Sequence, residues 1–98
     1  MADEHLYLVT YDIADDRRWR AVFKMMHGYG EWLQLSVFQC RLTRARQVEM
    51  VARLESTIAR DADHVMVVDL GPAENVQPRV VSLGKRGFAA VERAPVIV

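Results

Sequence analysis

The sequence has little of what marks secreted, membrane-spanning or zinc-binding proteins. Cys40 is its only cysteine, so no disulfide can form within the chain, and a cysteine-based zinc site would need ligands from elsewhere. We expect Cys40 to be a small buried apolar residue. No basic segment precedes a long apolar run, and no stretch of about 18 apolar residues occurs. We therefore expect neither a signal peptide nor a membrane span, and a cytoplasmic protein.

Several catalytic and nucleotide-binding patterns are also missing. The three histidines, His5, His27 and His64, lie far apart in the sequence, without the close spacing of a helical metal site. There is no Walker A loop, no G-x-G-x-x-G and no Ser-His-Asp order. Thirteen basic residues balance thirteen acidic ones, which argues against a chain that attracts polyanions over its whole surface.

The residues that are present predict one compact domain. The chain has 98 residues, of which 51% are hydrophobic and 27% charged, a composition typical of globular proteins and too apolar for disorder. A chain of this length buries roughly 60 to 70% of its unfolded surface. We therefore treat residues 1–98 as a single domain.

The first strand ends on a carboxylate. Residues 5–13 are rich in strand-forming side chains that alternate between faces, and Asp12 lies at the C-terminal end of this run. Asp15 then predicts the N-cap of a helix, which Gly28 and Gly30 would end. The apolar stripe of this helix has the i, i+3, i+4, i+7 spacing of a core-facing surface; it consists of Trp19, Val22, Phe23 and Met26.

The remaining pattern predicts an α+β ferredoxin-like sandwich, an antiparallel sheet with two helices on one face. A strand over residues 32–42 is followed by a helix from the N-cap Thr43 to about Arg60, then by strands over 64–70 and 79–83. The ferredoxin-like order requires two strands between the helices, whereas this assignment has one. We expect any error to lie in residues 31–42, which are long enough to divide.

The positive charge is concentrated in arginines. Eleven of the thirteen basic residues are arginine, and six form two groups: Arg17, Arg18 and Arg20, then Arg41, Arg44 and Arg46. Arginine recognises phosphate with a planar, forked donor set, so a nucleic-acid surface is one interpretation and a solvated helix face is the other. Asp12 is similarly open between a cap or turn residue and a ligand of Mg²⁺.

The C-terminal segment, residues 84–98, ends in the apolar run Val96–Val98. An apolar strand edge left free would aggregate, so we expect this segment to pair with a second copy in a homodimer. Packing of the two uncovered sheet faces would bring Asp12 near its counterpart in the other copy. Two carboxylates with water and phosphate oxygens suit Mg²⁺.

Three short motifs, in this order and spacing, resemble the CRISPR-associated Cas-two family. They are Tyr11-Asp12-Ile13 with Asp15-Asp16-Arg17-Arg18, then the run from Gln34 to Cys40, and finally Val81-Ser82-Leu83-Gly84. The resemblance covers nearly the whole chain. It implies a ferredoxin-like fold, a homodimer with C-terminal segments paired across protomers, and partnership with the Cas-one integrase in spacer acquisition. It also implies a Mg²⁺-dependent endonuclease of single-stranded RNA or duplex DNA.

The resemblance assigns roles to five residues. Asp12 matches the strand-end aspartate that is catalytic and binds metal, and Arg17, Arg18, Ser36 and Phe38 match nucleic-acid-binding positions. Core packing is the alternative for Phe38, and a hydrogen bond to neighbouring backbone is the alternative for Ser36. Two main functions remain open, a metal-dependent phosphodiesterase and a non-catalytic bridge between DNA and integrase dimers. A related toxin-type ribonuclease and a small-molecule regulator are weaker alternatives.

Overall fold

The computed structural model describes residues 3–84, which form a four-stranded antiparallel sheet and two helices. In chain order the elements are β1 (Glu4–Asp12), α1 (Asp16–Met26), β2 (Glu31–Gln34), β3 (Val37–Thr43), α2 (Arg44–Thr57) and β4 (His64–Pro72). The strands lie in the order β2-β3-β1-β4. This is the ferredoxin-like α+β arrangement, and the prediction of the fold class is confirmed.

Residues 31–42 divide into two strands, at the place where the sequence assignment was most open to error. The turn between β2 and β3 contains Leu35 and Ser36, and Leu35 adopts a positive φ of 39°. A left-handed backbone is uncommon outside glycine. Here the indole nitrogen Nε1 of Trp32 donates to the carbonyl oxygen of Leu35 at 2.9 Å, a bond that stabilises the turn.

The core lies between one face of the sheet and the two helices. Alternate residues of β1 and β3 point into it, and each helix contributes two buried side chains. The helix residues are Val22 and Met26 of α1 and Met50 and Leu54 of α2. Cys40 is fully buried among them, as expected. Val48 of α2 lies outside this core and is 54% exposed.

Both predicted N-caps are present. Asp15 accepts a hydrogen bond from the Arg18 amide at 3.0 Å, and Thr43 accepts one from the Arg46 amide at 3.3 Å. The second helix ends at Thr57 rather than near Arg60, because the Ala59 amide donates to the Asp63 carboxylate at 2.8 Å and draws the chain into a turn.

The prediction of a strand at residues 79–83 is wrong for this single chain, because these residues form no strand in the structure. The described sheet consists of β1 to β4 and does not include residues 79–83. The segment assigned to dimer pairing lies outside the described residues from Lys85 onward, so its role stays a prediction.

The sheet face opposite the helices, here called the open face, has an apolar portion on β4. Met66, Val68 and Leu70 are 49%, 39% and 37% exposed there. Leu8 and Thr10 of the central strand are only partly buried on the same face. Neither helix of residues 3–84 is long and apolar enough to cross a membrane.

Candidate nucleic-acid and metal site

Asp12 occupies the position that the sequence predicted, at the last residue of β1. Its side chain is exposed and, because strand side chains alternate, it lies on the open face with Leu8 and Thr10. Val9 and Tyr11 point the other way into the core. In the antiparallel pairing of β1 with β4, Asp12 stands directly opposite His64. A carboxylate free of the core is thus held at a defined end of the sheet.

Arg17 and Arg18 follow in the first turn of α1 but differ in what they can reach. Arg17 is exposed. The guanidinium group of Arg18 is turned toward Asp63, to which Nε donates at 2.8 Å and Nη2 at 3.2 Å. Arg17 therefore remains available to a phosphate, whereas Arg18 has a partner within the fold.

Asp63 is the hydrogen-bonding centre of this end of the molecule. Its side chain has no exposed surface, and besides Arg18 it accepts from the backbone amides of Ala14 at 2.9 Å and Ala59 at 2.8 Å. The bond from Arg18, followed by that from Ala59, holds the pKa of the Asp63 carboxyl well below its usual range, against the opposing effect of burial. One carboxylate therefore joins the loop after β1, the helix α1 and the turn after α2.

Sequence reasoning did not identify the role of Asp63. The stretch Asp61-Ala62-Asp63 has the composition of a turn, since Asp is a common turn residue, and nothing in it indicates a long-range partner. Its partner Arg18 lies 45 positions earlier in the chain, and no local pattern connects the two. The only available signal was an acid directly before β4, the strand that begins opposite Asp12.

Ser36 lies close to the Asp12 end of the sheet. Its backbone carbonyl accepts from the amide of Tyr11 at 3.1 Å, and its hydroxyl accepts from Nε1 of Trp19 at 2.8 Å. These bonds fit the alternative in which Ser36 satisfies its neighbours. Its assignment as a nucleic-acid contact stays a prediction.

Phe38 is fully buried in the core. Its ring lies 5.8 Å from that of Phe23, 5.2 Å from that of His27 and 6.3 Å from that of Tyr11, measured between centroids. A side chain in this position cannot touch a ligand unless the core opens. The geometry favours the packing alternative over a direct contact with nucleic acid.

The second arginine group lies elsewhere. Thr43, which precedes α2, pairs with Glu4 at the start of β1, so Arg44 and Arg46 lie at the end of the sheet opposite Asp12. Arg46 donates to Glu49 at 2.8 Å and to the carbonyl of Gly28 at 2.9 Å. Its guanidinium carbon also lies 4.4 Å from the ring centroid of Tyr29. The structure therefore does not bring the two arginine groups into one site.

The donor set at the Asp12 end is small. Within residues 3–84, no group of three or more histidine, cysteine or acidic side chains converges on a possible metal position. Asp12 supplies one hard oxygen ligand, and Mg²⁺ commonly takes one or two carboxylates and completes its shell with water and phosphate. Asp12 therefore fits as part of a Mg²⁺ site and not as a complete one.

Comparison with known proteins identifies the family. A family model described as "CRISPR associated protein Cas2" matches residues 5–77. The chain is 58% identical over 95 residues to CRISPR-associated endoribonuclease Cas2 1 of Rhodospirillum rubrum, covering 97% of this chain and 92% of that protein. It is 57% identical to CRISPR-associated endoribonuclease Cas2 of Geobacter sulfurreducens, covering 97% and 99%. The chain belongs to the CRISPR-associated Cas2 family.

The Cas2 fold is supported independently by a solved structure. The crystal structure of Streptococcus pyogenes Cas2 at pH 6.5 matches with a TM-score of 0.71 and 37% sequence identity, covering 81% of this chain and 99% of that one. The family resemblance found in the sequence motifs is thereby confirmed. The roles of Asp12, Arg17, Arg18, Ser36 and Phe38 within a Cas2 protein stay predictions.

Proposed function

We propose that this protein is a CRISPR adaptation subunit that binds nucleic acid, acts with the Cas-one integrase in spacer acquisition, and hydrolyses phosphodiester bonds of RNA or duplex DNA with Mg²⁺. The observation that carries the proposal is the exposed carboxylate of Asp12 at the end of β1, in a chain more than half identical to two proteins named endoribonucleases. The site of action would be in the cytoplasm.

In this proposal Asp12 holds the metal and Arg17 holds the substrate backbone. A Mg²⁺ ion held there would supply positive charge against the scissile phosphate and would activate water. The exposed guanidinium of Arg17 lies in the first turn of α1, where backbone amides and the helix dipole favour an anion. Arg18 acts mainly through its bond to Asp63, which fixes the start of α1 relative to the loop after β1.

A homodimer would complete the site. The exposed apolar side chains Met66, Val68 and Leu70 on the open face are of the kind that a second copy would cover. Asp12 lies on that same face, so packing of two open faces would bring two carboxylates toward one axis. Two carboxylates lie within the range of one or two that a Mg²⁺ site with several waters commonly uses.

Cleavage by matched variants tests the enzymatic part. Labelled single-stranded RNA and duplex DNA are incubated with wild type, Asp12→Asn and the control Glu74→Gln, each with Mg²⁺ and with EDTA. Glu74 is an exposed acid in the turn after β4, so its substitution makes the same change of charge outside the site. We expect cleavage by wild type and Glu74→Gln in Mg²⁺ only, and none by Asp12→Asn. Size exclusion shows whether all three form dimers.

A non-catalytic, DNA-bridging scaffold is the second candidate. It is favoured by the single exposed carboxylate at the site and by the absence of a three-ligand metal cluster within the described residues. Cleavage that is absent from all three dimeric proteins, together with unchanged binding of duplex DNA and of the Cas-one integrase, would replace the enzymatic proposal with this one. Metal-dependent cleavage of RNA without any binding of the integrase would instead indicate the related toxin-type ribonuclease.

A further inference from the structure

In the described sheet the Asp12 carboxylate stands opposite an imidazole, that of His64. Asp12 of β1 is paired with His64 of β4. The pairing runs without a register shift from Tyr7 and Asp69 to this pair. Residues directly opposite in an antiparallel pair point to the same face, with Cβ atoms about 4.5 to 5.5 Å apart. Both side chains are exposed. A carboxylate and an imidazole therefore share the open face at a separation that one metal ion can bridge.

The backbone on both sides of this pair is anchored by Asp63. Its carboxylate accepts from the amide of Ala14, two residues after Asp12, at 2.9 Å, and Asp63 itself immediately precedes His64. Because Asp63 is occupied by these bonds and by Arg18, it does not compete as a ligand. It also balances the charge of Arg18, which would otherwise repel a cation close by.

The two donors differ in the metals they favour. A carboxylate is a hard oxygen ligand that Mg²⁺ accepts. An imidazole nitrogen adds little for Mg²⁺ but is a good ligand for transition metals, whose affinity for nitrogen sites rises from Mn²⁺ along the first row. An Asp and His pair therefore favours transition metal ions over Mg²⁺ more strongly than a lone aspartate does.

We infer that His64 is a second metal ligand beside Asp12, and that the site prefers Mn²⁺ and related transition metal ions to Mg²⁺. The inference rests on the proposed function for the role of Asp12, and it adds a residue and a metal class to that site. Water and substrate phosphate oxygens complete the coordination.

Metal binding, measured without substrate, tests this inference. The full-length protein is titrated with Mn²⁺ at about pH 8, and free Mn²⁺ is followed by electron paramagnetic resonance; Mg²⁺ affinity is obtained by competition. The variants are His64→Gln, Asp12→Asn and the control His5→Gln. His5 lies at the other end of β1, where its Nδ1 is 2.8 Å from Asp69, so the control removes an imidazole outside the site.

The expected result is a loss of Mn²⁺ affinity in His64→Gln of at least about tenfold, the lower end of the range seen when partners of a metal site are removed. Mg²⁺ affinity should change little in this variant, and His5→Gln should match wild type. Unchanged Mn²⁺ affinity in His64→Gln, with loss of both ions in Asp12→Asn, overturns the inference but leaves Asp12 as a ligand. An equal loss in His5→Gln also overturns it. Absence of Mn²⁺ binding by wild type overturns the inference too. The proposed function is decided separately, by the cleavage assay with Asp12→Asn.

Discussion

Substitution of Phe38 distinguishes a role in core packing from a role in nucleic-acid binding. The family motif makes it a nucleic-acid-binding position, yet the side chain is fully buried and has the rings of Tyr11, Phe23 and His27 around it. If packing is its role, substitution should lower stability in proportion to the volume lost. If contact is its role, binding should fall even when the fold is intact.

The expected loss of stability follows from the residues that surround Phe38. Replacement of a buried phenylalanine by alanine costs about 3 to 5 kcal/mol, and more where the cavity cannot collapse. Phe23 and His27 are fixed on α1 and its C-cap, and Tyr11 is fixed on the central strand, so little collapse is available. We expect Phe38→Ala to lower the free energy of unfolding by about 4 kcal/mol. This is a large share of the total, which is roughly 5 to 15 kcal/mol for a typical domain. Phe38→Leu leaves a smaller cavity and should cost less, about 1 to 2 kcal/mol.

Two measurements on the same proteins test this expectation. Urea unfolding followed by circular dichroism gives the free energy of unfolding, and fluorescence anisotropy with labelled RNA and duplex DNA gives affinity. Phe38→Leu should bind like wild type. Arg17→Ala is the matched control and should have the reverse profile, with unchanged stability and weaker binding, because Arg17 is exposed. A Phe38→Leu protein of nearly wild-type stability that has lost binding would refute the packing role.

Three further substitutions test other parts of the structure. The Tyr11 hydroxyl is buried without a hydrogen-bond partner among the described residues, and burial raises its pKa to about 12, so Tyr11→Phe should leave the free energy of unfolding unchanged or raise it by about 1 kcal/mol; a clear loss in urea unfolding would mean that the hydroxyl has a partner. A Cβ at Gly30 would lie 2.5 Å from Sγ of Cys40 and against the carbonyl oxygen of Gln39, so Gly30→Ala should destabilise by about 1 to 3 kcal/mol; unchanged urea unfolding would contradict the close approach. The pKa of Asp63 is lowered from its ordinary value near 3.8, first by Arg18, so its contribution to stability is present above that value and is lost as the pH falls below it. Asp63→Asn should therefore be less stable than wild type at neutral pH and lose less further stability between about pH 5 and pH 2.5; an equal acid dependence of the two proteins would contradict this.

The sequence predicted the elements whose signals are local. The alternation of β1, the N-caps Asp15 and Thr43, and the apolar stripe of α1 all depend on residues a few positions apart, and all are present in the structure. The family motifs added the position of Asp12, which is exposed at the strand end. These observations were sufficient for the ferredoxin-like arrangement, apart from the number of strands between the helices.

The features that were missed depend on distant partners. The turn that divides β2 from β3 contains Leu35 and Ser36 rather than glycine or proline, and two indole N–H groups, from Trp32 and Trp19, bond to it. Trp19 lies on the preceding helix, so the sequence of the turn alone does not indicate it. Residues 79–83 show the opposite case, since their composition favours a strand but they do not join the described sheet. Local preference is then insufficient to form a strand.

The distribution of bonding around Asp12 bears on how its site would operate. The backbone near Asp12 is fixed by Asp63 through the Ala14 amide and by the bond from the Tyr11 amide to the Ser36 carbonyl in the turn between β2 and β3. The carboxylate of Asp12 is nevertheless exposed. A rigid backbone that presents one exposed carboxylate suits a site that is completed from outside the chain, because further ligands can arrive without a rearrangement of the fold. Substrate phosphates, water and a second copy are the available sources in the proposed function. The activity of this protein should then depend on assembly on the open face as much as on Asp12 itself.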